Sequence, residues 1–138
     1  MELFTKQNVK PLEIELQRLV AEKYQFSPQI LSVEGETVIM EKINGSSLFE
    51  LYGDNPQHVP GWIWDEIHRI LAILYEREGI EYIDITSFNF MVNLDSKRVY
   101  VIDFGHAFYT IAGKDERPSN WFLKEALNGA KEFNPDFK

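Results

Sequence analysis

A strand-turn-strand pattern with polar residues at both of its ends constrains this chain more than any other feature. Asn89-Phe90-Met91-Val92-Asn93-Leu94 and Val99-Tyr100-Val101-Ile102 read as two strands around the polar turn Asp95-Ser96-Lys97. Asn89 opens the first strand and Asp103 follows the second, so closing the hairpin sets an amide and a carboxylate side by side. Asp84 stands five residues before Asn89, and Asp103 runs on into Phe104-Gly105, where the glycine lets the chain turn sharply. Taken singly, these are residues that favour turns and caps. Taken as an ordered set around one hairpin, they bring three oxygen-bearing side chains together.

The rest of the chain supplies a frame for that hairpin. A first helix is expected from Pro11 to Tyr24, with proline at its first position and Leu12, Leu16, Leu19, Val20 and Lys23 at helical spacing. Ile30-Leu31-Ser32-Val33 and Thr37-Val38-Ile39-Met40 form a second hairpin around Glu34-Gly35-Glu36. Asn44-Gly45 breaks the pattern, and Ser46 or Ser47 caps a short helix through Leu51 and Tyr52. From Trp62 to Glu78 runs an amphipathic helix whose stripe is Ile63, Ile67, Ile70, Leu71 and Leu74, with Gly79 to stop it. Ala107 to Gly113 reads as irregular, and a last helix is expected near Ser119 to Leu127.

Composition bounds the function. The 138 residues suit one domain that buries roughly two thirds of its unfolded surface. A content of 44% hydrophobic and 26% charged residues is that of a folded protein. The absence of cysteine excludes disulfides and cysteine-based metal sites, and suits a reducing cytoplasm. No stretch approaches a membrane span. A net charge of −8 opposes unaided binding to a phosphate backbone, so nucleic acid is expected only indirectly, through a partner. The other Asp and Glu residues are expected to form a solvated surface.

Asp84, Asn89 and Asp103-Phe104-Gly105 stand in the order of the protein-kinase catalytic loop and its Asp-Phe-Gly motif. Glu13, Met40-Glu41-Lys42-Ile43-Asn44-Gly45 and Asp115-Glu116-Arg117 before the last helix narrow the match. The chain resembles the small atypical Ser/Thr kinase of the KEOPS complex, a family that supports threonylcarbamoyl modification of transfer RNA, over roughly residues 13 to 130. The resemblance implies an α+β protein-kinase-like fold: a mostly helical C-lobe (residues 46–138), a hinge (41–45) and a minimal N-lobe (1–40) of one helix and a few antiparallel strands. It implies ATP and Mg2+ as ligands, with Asp84 as the base, Asn89 and Asp103 as metal ligands, and Gly105 and Glu13 beside the nucleotide. Met40 becomes the gatekeeper, and Glu41 and Ile43 the hinge contacts for adenine. A protein partner, such as another KEOPS-like subunit, is implied too.

The chain also departs from that pattern. Kinases cover the phosphates with a glycine-rich loop and steady them with a strand lysine paired to a helix glutamate. No glycine precedes Gly35. Lys6 is the one lysine in a strand-like context, but it stands so close to Glu13 in sequence that it is expected to be an ordinary surface lysine. Lys10 fares no better. Tyr82-Ile83 replaces the usual His-Arg or His-Gly before Asp84, so Tyr82 is expected to pack its ring beneath the loop, and control by activation-loop phosphorylation is not expected. His106 is expected to pack against the hairpin, and His58 and His68 carry no assigned role.

Three functions compete. The first is a minimal phosphotransferase or ATPase that needs a partner to exclude water from the phosphates. The second is a pseudokinase acting as a protein-interaction module, favoured by the missing glycine loop, with Trp62, Trp64 and Trp121 as possible anchors. A small-molecule kinase ranks last, since only 33 residues follow Gly105.

Overall fold

The computed structural model describes residues 2–111 and 117–137. The Asp115-Glu116 step of the family pattern and the Ala112-Gly113 end of the expected irregular stretch lie outside them. Strands β1 (Leu3–Lys6), β2 (Ile30–Glu34) and β3 (Thr37–Glu41) form an antiparallel sheet in the order β1-β3-β2. Phe4 lies opposite Met40 and Lys6 opposite Val38, so strand alternation sends Phe4 and Lys6 to the same face. Val38 and Met40 are buried with Val9, against Ile14 and Ile30. Leu3, Phe4 and Leu31 stay about half exposed, so part of the sheet's apolar surface is uncovered.

Helix α1 (Pro11–Tyr24) has the expected bounds but a rotated buried face. Glu13, Leu16, Gln17, Val20 and Ala21 point inward, while Leu12 is exposed. Polar residues go inside because they find partners there: the Gln17 amide donates to the Pro28 carbonyl at 3.0 Å and contacts Met40 Sδ at 3.4 Å.

The larger part of the molecule is built on α3 (Gly61–Glu78), whose Ile63, Ile67, Ile70, Leu71 and Leu74 are all buried, each contributing roughly 1.5–3 kcal/mol. Gly79 ends it with φ 66°. Strands β4 (Ser46–Ser47), β6 (Phe90–Asn93) and β7 (Arg98–Val101) form a second antiparallel sheet, β4-β6-β7. Helix α2 (Leu48–Tyr52) starts from a capping box between Ser47 and Glu50. Strand β5 (Ile80–Glu81) pairs with β8 (Phe108–Tyr109), which corrects the expectation that this stretch is irregular. Two-residue strands carry too little periodicity to read from sequence. Helix α4 (Trp121–Leu127) is capped by Asn120, whose carboxamide oxygen accepts from Phe122 and Leu123 N–H groups. Among the described residues no helix is long and apolar enough to cross a membrane.

Gly45 is needed for close approach. A Cβ there would sit 2.5 Å from the Val92 carbonyl oxygen, a backbone atom that cannot swing away. Gly45→Ala is expected to cost about 1–3 kcal/mol by forcing β4 off β6, to be read as a lower midpoint in urea unfolding.

Candidate active site

The β6-β7 hairpin does bring its two ends together. Ile102 N–H donates to the Asn89 carbonyl at 3.0 Å, which places Asp103 next to Asn89. Asn89 Nδ2 donates to the Asp84 carbonyl at 3.0 Å, folding residues 84–89 into a tight loop. That bond uses the amide nitrogen and leaves Oδ1 as the group to meet a cation. Tyr82 supports the loop as expected, its ring packing edge-on against Phe104 at 5.5 Å and Phe90 at 5.9 Å. Burial holds the Asp84 carboxyl above the usual range; Asn89 and His106 temper that effect and Asp103 adds to it.

Lys6 requires a correction. It is not an ordinary surface lysine: its Nζ lies 2.5 Å from Glu13 Oε2 and 3.5 Å from Asp103 Oδ1. Burial opposes its charge, but bonding to Glu13 and the field of Asp103 outweigh burial and raise its pKa. The short sequence separation suffices because β1 ends at Lys6 and α1 begins at Pro11, with Asn8 at φ 60° turning the chain and Val9 N–H held by the Glu36 carbonyl at 2.9 Å. Glu13 then falls in the first turn of α1, facing inward. Lys10, by contrast, pairs with Glu36 at the surface.

Gly105 sits in a turn closed by Ala107 N–H donating to the Phe104 carbonyl at 3.1 Å. Its backbone is not left-handed; rather, a Cβ would lie 3.1 Å from Asp103 Oδ1 and 3.5 Å from Glu13 Oε1. The glycine keeps room between two carboxylates, and its N–H donates to Asp103 Oδ1 at 2.8 Å. His106 packs on the Phe137 ring, 4.8 Å between centroids. His68 has a structural contact, with Nε2 2.8 Å from the Ala130 carbonyl. Trp64 is buried, Trp62 is half-buried and Trp121 is 52% exposed.

Beside these groups lies an apolar cavity of about 220 Å³ lined by Met40, Glu41, Ile43, Phe4, Lys6, Pro28, Lys42, Met91 and Ile102. Met40, Glu41 and Ile43 thus share one wall. Glu41 spends its N–H and its carboxylate on Gln29, and Ile43 N–H makes no backbone bond among the described residues. Glu13, Asp84, Asn89, Asp103 and Gly105 do not line the cavity; Lys6, which does, contacts Glu13 and Asp103. The sequence pointed to neither Phe4 nor Met91 and Ile102, although period-two alternation with Lys6 was the available signal for Phe4.

No group of three His, Cys, Asp or Glu side chains is placed to hold a metal among the described residues. That does not conflict with a magnesium site of the phosphate-transfer kind, which uses one or two protein oxygens and takes the rest from phosphates and water. Asn89 Oδ1 and the Asp103 carboxylate fit that demand.

A small antiparallel sheet with one helix, a larger helical part, and an Asp-loop, Asp-Phe-Gly and Lys-Glu pair at their junction define a protein-kinase-like fold. A sequence model of the RIO domain matches residues 8–129, and the chain belongs to that family. Two curated relatives support the KEOPS-type resemblance. The EKC/KEOPS complex subunit BUD32 of Encephalitozoon cuniculi is 26% identical over 113 residues, 80% of this chain and 54% of that protein. A probable serine/threonine-protein kinase BUD32 homolog of Archaeoglobus fulgidus is 34% identical over 83 residues, 60% of this chain and 37% of that protein. The chain therefore spans about half the length, or less, of these relatives. Among solved structures, Rv3197 of Mycobacterium tuberculosis, in complex with erythromycin, superposes with a TM-score of 0.57 at 26% identity over 71% of this chain and 26% of its own. The Cydia pomonella granulovirus kinase PK-1 gives 0.60 at 17% identity over 86% of this chain and 45% of its own, which speaks for the fold.

Proposed function

We propose that this protein is a minimal atypical kinase or ATPase that transfers the γ-phosphate of ATP to a protein hydroxyl or to water. The observation that carries this reading is that Lys6, which lines the apolar cavity, is held between the carboxylates of Glu13 and Asp103. Residues 1–40 act as the reduced N-lobe, 41–45 as the hinge and 46–138 as the C-lobe. Adenine sits in the cavity against Met40, its edge bonded by the backbone of Glu41 and Ile43. Asn89 and Asp103 would hold magnesium, which would supply positive charge to neutralise the phosphates. Lys6 steadies the phosphates, and Glu13 aims Lys6. Asp84 takes the proton of the attacking hydroxyl as its oxygen bonds to the γ-phosphorus; the bond to the bridging oxygen breaks and ADP leaves with that electron pair. The raised Asp84 carboxyl suits a base.

A cytoplasmic protein working in a KEOPS-like assembly is the setting we propose, with partner subunits covering the phosphates. The pseudokinase reading draws on the lack of glycine in residues 1–34 and on Trp121, which is exposed. Isothermal titration with ATP separates the two: binding is expected with magnesium, to be lost without it and lost in Asp103→Ala. Equal binding by the variant would remove Asp103 from the site, and no binding by the unaltered chain would favour the interaction module.

A further inference from the structure

Residues 41–43 line a second cleft besides the apolar cavity, and the rest of its lining is different in kind. At about 420 Å³ it has the size of a small-molecule site. It opens onto the link between α1 and β2 through Ser27 and Gln29, and onto β7 through Arg98 and Tyr100, and neither Lys6 nor Met91 lines it. Ile43 is its one aliphatic side chain; the others are polar, charged or phenolic.

Two groups of that lining lack a matching partner within the described residues. Ser27 is 2% exposed, and its hydroxyl makes no hydrogen bond. A buried hydroxyl without a partner costs free energy that a ligand oxygen can restore. Arg98 is the second: its Nη2 donates to the Gln25 carbonyl at 2.9 Å and its guanidinium lies 5.2 Å from the Tyr100 ring centroid, yet no carboxylate pairs with it. Its place is fixed while its other N–H groups remain to meet an anion. Lys42 adds a second cation, held by exposed Glu2 at 3.5 Å, a surface pair of little strength. Glu41 opposes them, but one carboxylate stands against two cations, and its Oε1 already accepts from Gln29 N–H at 3.0 Å. Tyr100 is the only ring of the lining and Arg98 lies over it, which disfavours a stacked nucleobase.

We propose that this cleft binds a small phosphate ester carrying free hydroxyls, of the sugar-phosphate class. Arg98 and Lys42 hold the phosphate, the Ser27 hydroxyl bonds to a ligand oxygen, and Glu41 accepts from a ligand hydroxyl. The site stands apart from the phosphotransfer reading, since none of Lys6, Asp84, Asn89 and Asp103 lines it.

The test is isothermal titration of the whole chain, without magnesium, using glucose 6-phosphate, glycerol 3-phosphate, glucose and inorganic phosphate. At least one of the two esters is expected to bind about tenfold more tightly than inorganic phosphate, and glucose not to bind. Arg98→Gln is expected to weaken that ester about tenfold. Ser27→Ala is expected to weaken it about fivefold while melting no lower than the unaltered chain, because the change removes an unpaired buried hydroxyl. Lys6→Ala is expected to leave the affinity unchanged. Neither ester binding more tightly than inorganic phosphate, glucose binding as well as the esters, or affinity undiminished in Arg98→Gln or in Ser27→Ala would overturn the proposal. Affinity lost in Lys6→Ala would overturn it too, by placing the anion in the phosphotransfer site.

Discussion

Lys6→Ala is expected to lower phosphoryl transfer by roughly 10²–10³-fold, the scale on which removing one preorganised charge-stabilising donor acts. Lys6 is the cation that the structure places between Glu13 and Asp103, and both partners raise its pKa despite burial, so it is protonated at neutral pH. A positive charge held in that place costs no reorganisation when phosphate charge shifts toward the leaving group. Lys6→Arg is not expected to rescue, because a planar fork cannot replace a compact ammonium wedged between two carboxylates. Lys10→Ala is the control, since Lys10 pairs with exposed Glu36 away from the site. Single-turnover ADP release reads the rates. A Lys6→Ala rate equal to that of Lys10→Ala would reduce the Lys6-Glu13 pair to a structural ion pair.

Glu81→Gln is expected to cost about 3 kcal/mol at neutral pH, and so on the order of 10 °C in melting temperature. Its carboxylate is fully buried and accepts from Thr110 Oγ1 at 2.7 Å, from Ser119 N–H and Oγ at 3.0 and 2.8 Å, and from Asn120 N–H at 2.9 Å. One group thereby ties the end of β5 to the segment entering α4. Burial pushes its pKa up, but the donors outweigh burial and the net shift is downward. A lowered folded pKa means that the unfolded chain takes up the proton first. Glu81's contribution is therefore full above about pH 4.3, the ordinary glutamate value, and fades as the pH falls through the lowered folded value. The gap in melting temperature between the unaltered chain and Glu81→Gln is expected to narrow in acid. A gap that stays constant with pH would show that packing, not the ionised carboxylate, stabilises this corner.

Local patterns made much of this molecule legible. Helices α1 and α3, the two hairpins and a serine cap before α2 followed from proline, glycine and serine placement and from hydrophobic period, which are properties of neighbouring residues. The Asn89-Asp103 juxtaposition was readable for the same reason: a hairpin with a short polar turn leaves its two ends no other place to go. Lys6, Glu81 and His106 were not readable. Each takes its meaning from residues that the sequence does not put beside it: Glu13 from the next helix, Ser119 from the segment just before α4, Phe137 from the end of the chain. The rotation of α1 belongs with them, since Leu12 and Glu13 compete for the inside, and only the presence of Lys6 and Gln17's partners decides for Glu13. By itself the sequence determined the longer helices and the two hairpins, and that three oxygen-bearing groups meet around one hairpin. The tertiary structure alone decided that Lys6 meets Glu13 and Asp103, because a half-buried charge is stable only where a partner awaits it, and that partner is placed by packing rather than by spacing.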